Sequence, residues 1–241
     1  MSNKSNSSGV VSRRRFLGGT AVAAGSLSVL SKQASAGDGD PLPPFHVDFG
    51  SPATTPWVWP LSFARHAVPL PAWKSLDPPV IPADHQRYGE FLPVKFYDMS
   101  VTEIFTQPHP ELAFSHVMAY QGSVPGVTFI NHYGEPVLCR IRNELPLELG
   151  GIGSPDIITH VHNGHHPSES DGYPGYWFSP GSFLDHHWPM IYAGGDWREA
   201  KGTLWYHDHR LDYTAQNTYR GLAGFFLLFD NLDSGDENDP N

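Results

Sequence analysis

Two short patterns place donor side chains at a spacing that suits metal chemistry. His160-Val161-His162 closes one β-branched apolar run, DIITHVH, and His207-Asp208-His209 closes another, GTLWYHDH. On an extended strand alternate residues share a face, with Cβ atoms roughly 6–7 Å apart, so each pair presents two imidazoles to one side. On a helix residues i and i+2 point away from each other and cannot cooperate. Imidazole is a borderline ligand suited to copper, zinc, iron and nickel. Two such pairs on neighbouring strands supply four imidazoles, from His160, His162, His207 and His209. The bland alternative is that these are four ordinary polar side chains among 14 histidines. That both pairs end an apolar strand weighs against it.

Three zinc or iron templates fail at named residues. A metallo-β-lactamase-like site needs His-x-His-x-Asp-His, and here Gly164 stands where the Asp must be. A cupin needs a Glu four or five residues after its second His, where this chain has His166 and Pro167. A zinc protease needs His-Glu-x-x-His on a helix, and the sequence contains none.

The elements that must carry the histidines are short strands. Gly (24) and Pro (23) are abundant and long periodic apolar stretches are rare, which favours strands joined by turns over a helical bundle. VKFYDMSVTEIFTQ, LAFSHVMAYQG, VTFINHYG, PVLCRIRNELP and GLAGFFLLFD add to the two histidine runs. Together they predict an antiparallel β-sandwich of about seven or eight strands over residues 91–230. In VLCRIRN, Val137, Cys139 and Ile141 alternate with Leu138, Arg140 and Arg142, the period of a strand with one buried face. One stretch, LDYTAQNTYRG, admits a short helix, and no internal repeat is visible. Cys139, the only cysteine, reads as a core residue and leaves no internal disulfide framework.

Outside that domain lie three other segments. Residues 1–36 combine Ser12-Arg13-Arg14-Arg15-Phe16-Leu17, a short apolar run and Ala34-Ser35-Ala36. This is the layout of a twin-arginine export signal, with an apolar run too short and glycine-rich for a membrane anchor. The expected destination is the periplasm or the cell exterior. Residues 37–90 hold 11 of the 23 prolines and read as an extended arm, with Trp57, Trp59 and Trp73 docking on the domain surface. Residues 231–241 are a polar, acidic tail. Removing 1–36 takes away Lys4, Arg13, Arg14, Arg15 and Lys32 and no acid, so the net charge falls from −10 to −15. Neither a nucleic acid nor an anionic membrane suits that balance.

THVHNG and LWYHDH resemble the first two copper motifs of the multicopper oxidases, a family of repeated cupredoxin domains. AYQGSVPGVTFINHYGEPVLCRIRNELP is similar to that family's first-domain opening, and SESDGYPGYW and YRGLAGFFLLFD extend the likeness. It covers residues 95–240 and is strongest toward the phenoxazinone synthase, bilirubin oxidase and spore-coat laccase type. The resemblance implies an all-β, cupredoxin-like Greek-key β-sandwich behind a Pro-rich N-terminal arm. It implies copper as cofactor, with His160 on the type 2 copper and His162, His207 and His209 on the type 3 pair. It matches Asp171, eleven residues after His160, to an acidic residue of proton delivery, with a turn-forming Asp before Gly172 as the alternative. His165, His166, His186 and His187 are expected at the surface, with groups that orient the ligands as the alternative, and Asp208, facing away from its neighbours, is expected to be structural.

The same resemblance exposes a shortfall. The family's trinuclear cluster takes eight histidines, four of them from a last domain that also holds the type 1 copper. This sequence carries neither His-x-x-His-x-His nor His-Cys-His. Three expectations follow. The chain is the first domain of an exported oxidase that uses O2 and a phenolic or aromatic reductant, its missing C-terminal domains lying on a separate chain or lost downstream. Alternatively it is a freestanding exported copper-binding protein without turnover, or a remnant that folds poorly. A zinc hydrolase is the reading from an unrelated class.

Overall fold

The computed structural model describes residues 54–58, 60, 65–72, 74–236 and 238. The export-signal segment 1–36, Trp59 and Trp73 lie outside the described residues. Among the described residues eight strands form: β1 (Lys95–Thr106), β2 (Ser115–Tyr120), β3 (Gly126–His132), β4 (Val137–Asn143), β5 (Thr159–His162), β6 (Phe183–Trp188), β7 (Thr203–Asp208) and β8 (Ala223–Phe229). One short helix, α1 (Thr214–Tyr219), falls within the stretch that admitted one. Among the described residues no helix is long and apolar enough to cross a membrane.

The strands make two four-stranded sheets, ordered β2-β1-β4-β6 and β3-β8-β7-β5. The expectation of a wholly antiparallel sandwich is corrected: β1 pairs with β4 and β3 pairs with β8 in parallel. A parallel pair needs a crossover rather than a hairpin. Here the chain crosses to the opposite sheet between the two partners, a choice that strand periodicity does not encode.

The core lies between the sheets. Phe129 is its centre, with the rings of Tyr97, Trp188, Tyr206 and Phe226 at 5.0–5.6 Å from its own. Such aromatic pairs contribute roughly 0.5–1.5 kcal/mol each beyond their area. The Tyr206 hydroxyl donates to the Val127 carbonyl at 2.7 Å. A Cβ on Gly224 would lie 2.6 Å from the Tyr206 ring, so the glycine of GLAGFF makes room for it.

On β4, Val137, Cys139 and Ile141 face this core as the alternation predicted. Leu138 and Arg140 are fully buried as well. The arm covers the outer face of β4 at Leu138 and Arg140, while Arg142 on the same face keeps some solvent contact. Arg140 forks Asp185 with two 2.7 Å hydrogen bonds, donates to the Pro78 carbonyl at 2.6 Å and lies 4.0 Å over the Phe183 ring. Further up the arm, the Ala67 N–H donates to the Thr128 carbonyl at 2.8 Å and the Thr128 N–H to the Arg65 carbonyl at 2.6 Å. That pairing covers the free edge of β3. Trp57 is 98% exposed and does not dock.

Candidate metal centre

β5 and β7 run antiparallel, with Thr159 opposite Asp208, His160 opposite His207 and His162 opposite Trp205. Directly opposed residues share a face. Val161 and Tyr206 point into the core, so His160, His162 and His207 stand on the outer face of their sheet. His209 lies just past β7, and its N–H donates to the Ile158 carbonyl at 2.7 Å, which keeps it abreast of β5. The His160 ring lies 5.7 Å from His162, 5.5 Å from His207 and 5.1 Å from His209. One donor nitrogen from each of His160, His162 and His207 falls within 4.8 Å of the other two. The structure gathers these three into one donor set and puts the fourth predicted ligand, His209, beside them.

The far side of each ring decides which nitrogen is free. His160 Nδ1 donates to the Asp171 backbone carbonyl, and His207 Nδ1 donates to the Asp208 carbonyl at 2.8 Å. A carbonyl only accepts, so in both rings Nδ1 carries the proton and Nε2 keeps its lone pair. His209 Nδ1 lies 3.4 Å from the Thr214 hydroxyl. His162 Nδ1 lies 3.3 Å from His207 Nε2. Two nitrogens bound to one tetrahedral ion at about 2.0–2.1 Å stand about 3.3 Å apart, so this pair is spaced as two ligands of a common ion would be. Burial pushes His207 down to about 4, with the Asp208 carbonyl opposing and the other three imidazoles reinforcing the shift. It is therefore neutral at pH 7, the ligating form. An all-imidazole set suits copper, zinc or nickel and not magnesium or calcium.

Asp171 reaches the set through the Ser-Asp-Gly turn. Gly172 has φ +81°, and a Cβ there would lie 2.2 Å from the Thr159 carbonyl oxygen, so the turn sits directly on β5. Asp171 Oδ1 is 3.5 Å from His160 Nδ1. Burial raises its carboxyl above the usual range, while His160 and His209 pull the other way. The turn residue and the residue beside the donor set are thus the same Asp171.

Three of the four loop histidines contradict the surface expectation. His186 and His187 are fully buried on β6. His186 Nδ1 donates to the Ser170 carbonyl at 3.0 Å, and the His187 N–H donates to the Ser170 hydroxyl at 2.9 Å. On the other face of β6, His187 Nε2 donates to the Phe91 carbonyl at 2.7 Å. Both ring nitrogens of His166 are buried too, beside Trp188 and Phe226. The physical reason is that residues 163–172 close the open edge between β5 and β6, so His166 and His186 line the closure, while Phe91, His85 and Tyr88 cover the His187 ring. Ser170, which carried no sequence signal, is its anchor and precedes Asp171.

Asp208 is structural, as expected, and fully buried. Its carboxylate accepts from the Ile158 N–H at 2.8 Å, Asn217 Nδ2 at 3.0 Å and the Arg210 N–H at 3.2 Å. Burial pushes it up to about 7 against those donors. Asn217 is a functional neighbour that sequence reasoning missed.

The donor set opens onto an apolar, uncovered surface. Trp205 stacks on His207 with ring centroids 4.1 Å apart and is 37% exposed, and Phe225, opposite it on β8, is 47% exposed. Tyr173, Trp177 and Leu211 are exposed as well, Leu211 two residues after His209 and Trp177 beneath the Arg210 guanidinium.

Residues 106–232 match the sequence profile of the family described as multicopper oxidase. The chain belongs to that family. It is 34% identical over 152 residues to a laccase of Bacillus stratosphericus, covering 56% of this chain and 29% of that protein. It is 32% identical over 146 residues to a bilirubin oxidase of Albifimbria verrucaria, covering 58% and 23%. A crystal structure of a multi-copper oxidase from Pediococcus acidilactici shares the fold at a TM-score of 0.53 and 18% identity, over 73% of this chain and 30% of that one. The chain spans less than a third of each of these three proteins. The sandwich is cupredoxin-like, and the family implies copper, which the imidazole set fits. The multicopper oxidase chain keeps its only thiol out of this centre. Cys139 is fully buried on β4, 3.7 Å from the Met99 sulfur, and burial pushes its thiol well up.

Proposed function

We propose that this chain is the N-terminal copper-binding domain of an exported multicopper oxidase. It contributes half of a trinuclear copper site that reduces O2 to water while a phenolic or related aromatic substrate is oxidised. His160 is assigned to the type 2 copper and His162, His207 and His209 to the type 3 pair. The observation that carries this reading is the placement of four imidazoles on an outer sheet face ringed by exposed Trp205, Phe225 and Leu211. A donor set buried within one domain would need no such opening. Four imidazoles cannot fill the coordination of three ions, so a second surface must supply the rest. That surface belongs to a further domain, on the same or a separate polypeptide, that also carries the type 1 copper.

Bound copper supplies one-electron redox steps at O2. The chain's residues do the remaining tasks. The Asp171 and Asp208 carbonyls fix the tautomers of His160 and His207. Trp205 and Phe225 offer an apolar contact that excludes water once covered. Asp171, its carboxyl raised by burial beside His160, holds protons for a reaction that consumes four per O2. The Ser12–Leu17 stretch supports export by the twin-arginine route.

A second reading is favoured by one observation: three donors already converge within 4.8 Å in this chain alone. On that reading the protein binds copper without turnover. Mixing the copper-loaded chain with a polypeptide carrying the complementary histidines and type 1 site separates the two. O2 uptake with a phenolic donor, abolished by His207→Ala, is the expected result. Copper binding with no O2 uptake in that mixture selects the second reading, and no copper binding at all defeats both.

A further inference from the structure

We infer that Asp208 and Asn217 are the positioning residues of the metal centre, a side-chain pair that locks β5, β7 and α1 into the one arrangement in which the four imidazoles share a face. The inference rests on the copper reading above and goes beyond it in assigning the register to residues that touch no ion.

Both backbone groups held by Asp208 lie within two residues of a ligand. Asp208 Oδ1 takes the N–H of Ile158, two residues before His160. Its Oδ2 takes the N–H of Arg210, next to His209, and Nδ2 of Asn217 on α1. Asn217 Oδ1 in turn accepts from the Ser154 N–H at 2.9 Å, and its Nδ2 also donates to the Ser154 carbonyl at 3.1 Å. α1 begins at Thr214, whose hydroxyl faces His209. Both Asp208 and Asn217 are fully buried. One carboxylate therefore ties the start of β5, the end of β7 and the helix behind them.

That tie is needed because the ladder alone is short. β5 has four residues and lies at the edge of its sheet, paired with β7 only. A one-residue slip would turn His160 and His162 into the core. An amide at position 208 cannot replace the carboxylate. The Asn217 amide is fixed by Ser154, so its Nδ2 demands an acceptor at 208, while the Ile158 N–H demands another on the opposite side. A single amide oxygen serves one of them and sets an N–H against the other.

The test is a Cu2+ titration of the full chain, read by affinity and by the nitrogen couplings in the electron paramagnetic resonance spectrum. Asp208→Asn should weaken Cu2+ binding at least about tenfold and alter the spectrum. The exchange Asp208→Asn with Asn217→Asp should not recover binding, because the Arg210 N–H then faces an amide N–H and the Ser154 carbonyl a carboxylate oxygen. Val101→Ala, in the core of the other sheet, controls for stability and should bind as the unaltered chain does. Unchanged affinity and spectrum in Asp208→Asn would overturn the inference, as would an equal loss in the Val101→Ala control. Should Asp208→Asn not fold, Asn217→Ser removes the helix arm of the pair alone, and normal binding there is equally fatal. If the unaltered chain binds no Cu2+, the copper reading falls and takes this inference with it. Binding by the unaltered chain with Asp208→Asn unaffected removes only the positioning role.

Discussion

Asp185→Ala strips the partner from a guanidinium that has no water to turn to. The Arg140 side chain is fully buried and Asp185 is nearly so, and the pair makes two parallel 2.7 Å hydrogen bonds. Removing one member of a buried pair costs about 3–5 kcal/mol, because the remaining charge stays desolvated. Arg140 keeps the Pro78 carbonyl and the face of Phe183, which places the expected loss at the lower end, about 3 kcal/mol. At about 2–4 °C per kcal/mol for a chain of this size, the melting temperature should fall by about 6–12 °C. Urea unfolding followed by tryptophan fluorescence gives the free energy directly. The double variant Arg140→Met with Asp185→Leu should recover most of the loss, since it removes the stranded charge and refills the volume. Asp98→Ala is the internal comparison. It breaks the Arg142–Asp98 pair on the same sheet face, where both partners keep solvent contact, and should cost about 1 kcal/mol. A loss below about 1 kcal/mol in Asp185→Ala, or a double variant as unstable as the single, would refute the claim that the arm covers this face of β4 at Arg140.

Acid should destabilise the chain through its buried imidazoles, with Asp208, pushed up to about 7, opposing part of the loss. Burial holds His166 near 3 and His186 near 4, against 6.5 for an exposed imidazole. The unfolded chain therefore takes up protons first as the pH falls below about 6.5, and stability drops until the folded pKa values are reached. For His186 alone this amounts to about 3 kcal/mol between pH 6.5 and 4. Urea midpoints at pH 7, 5 and 4 measure it, and a flat series down to pH 4 would contradict the buried, neutral assignment. Gly172→Ala should cost far more than Gly181→Ala, although both have left-handed φ, +81° and +84°. A Cβ at 172 meets the Thr159 carbonyl at 2.2 Å, whereas at 181 nothing lies within 4 Å. Gly181→Ala should lose only about 1 kcal/mol of backbone strain, and equal losses would show that the Ser-Asp-Gly turn does not press on β5.

What was legible in the sequence followed from periodicity. His-x-His on an extended run puts two imidazoles on one face, and β5 and β7 do so. Val137, Cys139 and Ile141 lie inward for the same reason. What was not legible depended on a third partner. Arg140 alternates as a solvent-facing residue would, yet it is buried, because the arm lies over it and Asp185 neutralises it. His186 and His187 sit on a strand that no alternation announced. The His186 ring is buried by the loop that closes onto β6 through Ser170, 16 positions away, and the His187 ring by Phe91, His85 and Tyr88 of the arm on the opposite face. The parallel pairings escaped for a similar cause, since which strand lies next to which is fixed by crossovers and not by composition.

Strand alternation also explains how one segment carries both the chemistry and its support. Along β7, Leu204, Tyr206 and Asp208 are buried on the inner side, while Trp205 and His207 face out. The inner residues make the contacts that fix position: Tyr206 on Val127, and Asp208 on Ile158 and Asn217. The outer residues are then free to be selected for ligation alone. On the copper reading proposed above, a substitution at His207 should remove a ligand and leave the sheet intact, whereas one at Asp208 should leave every ligand present and misplace them. These two kinds of failure differ in copper stoichiometry and in spectrum, so the division of labour along six residues is itself open to measurement.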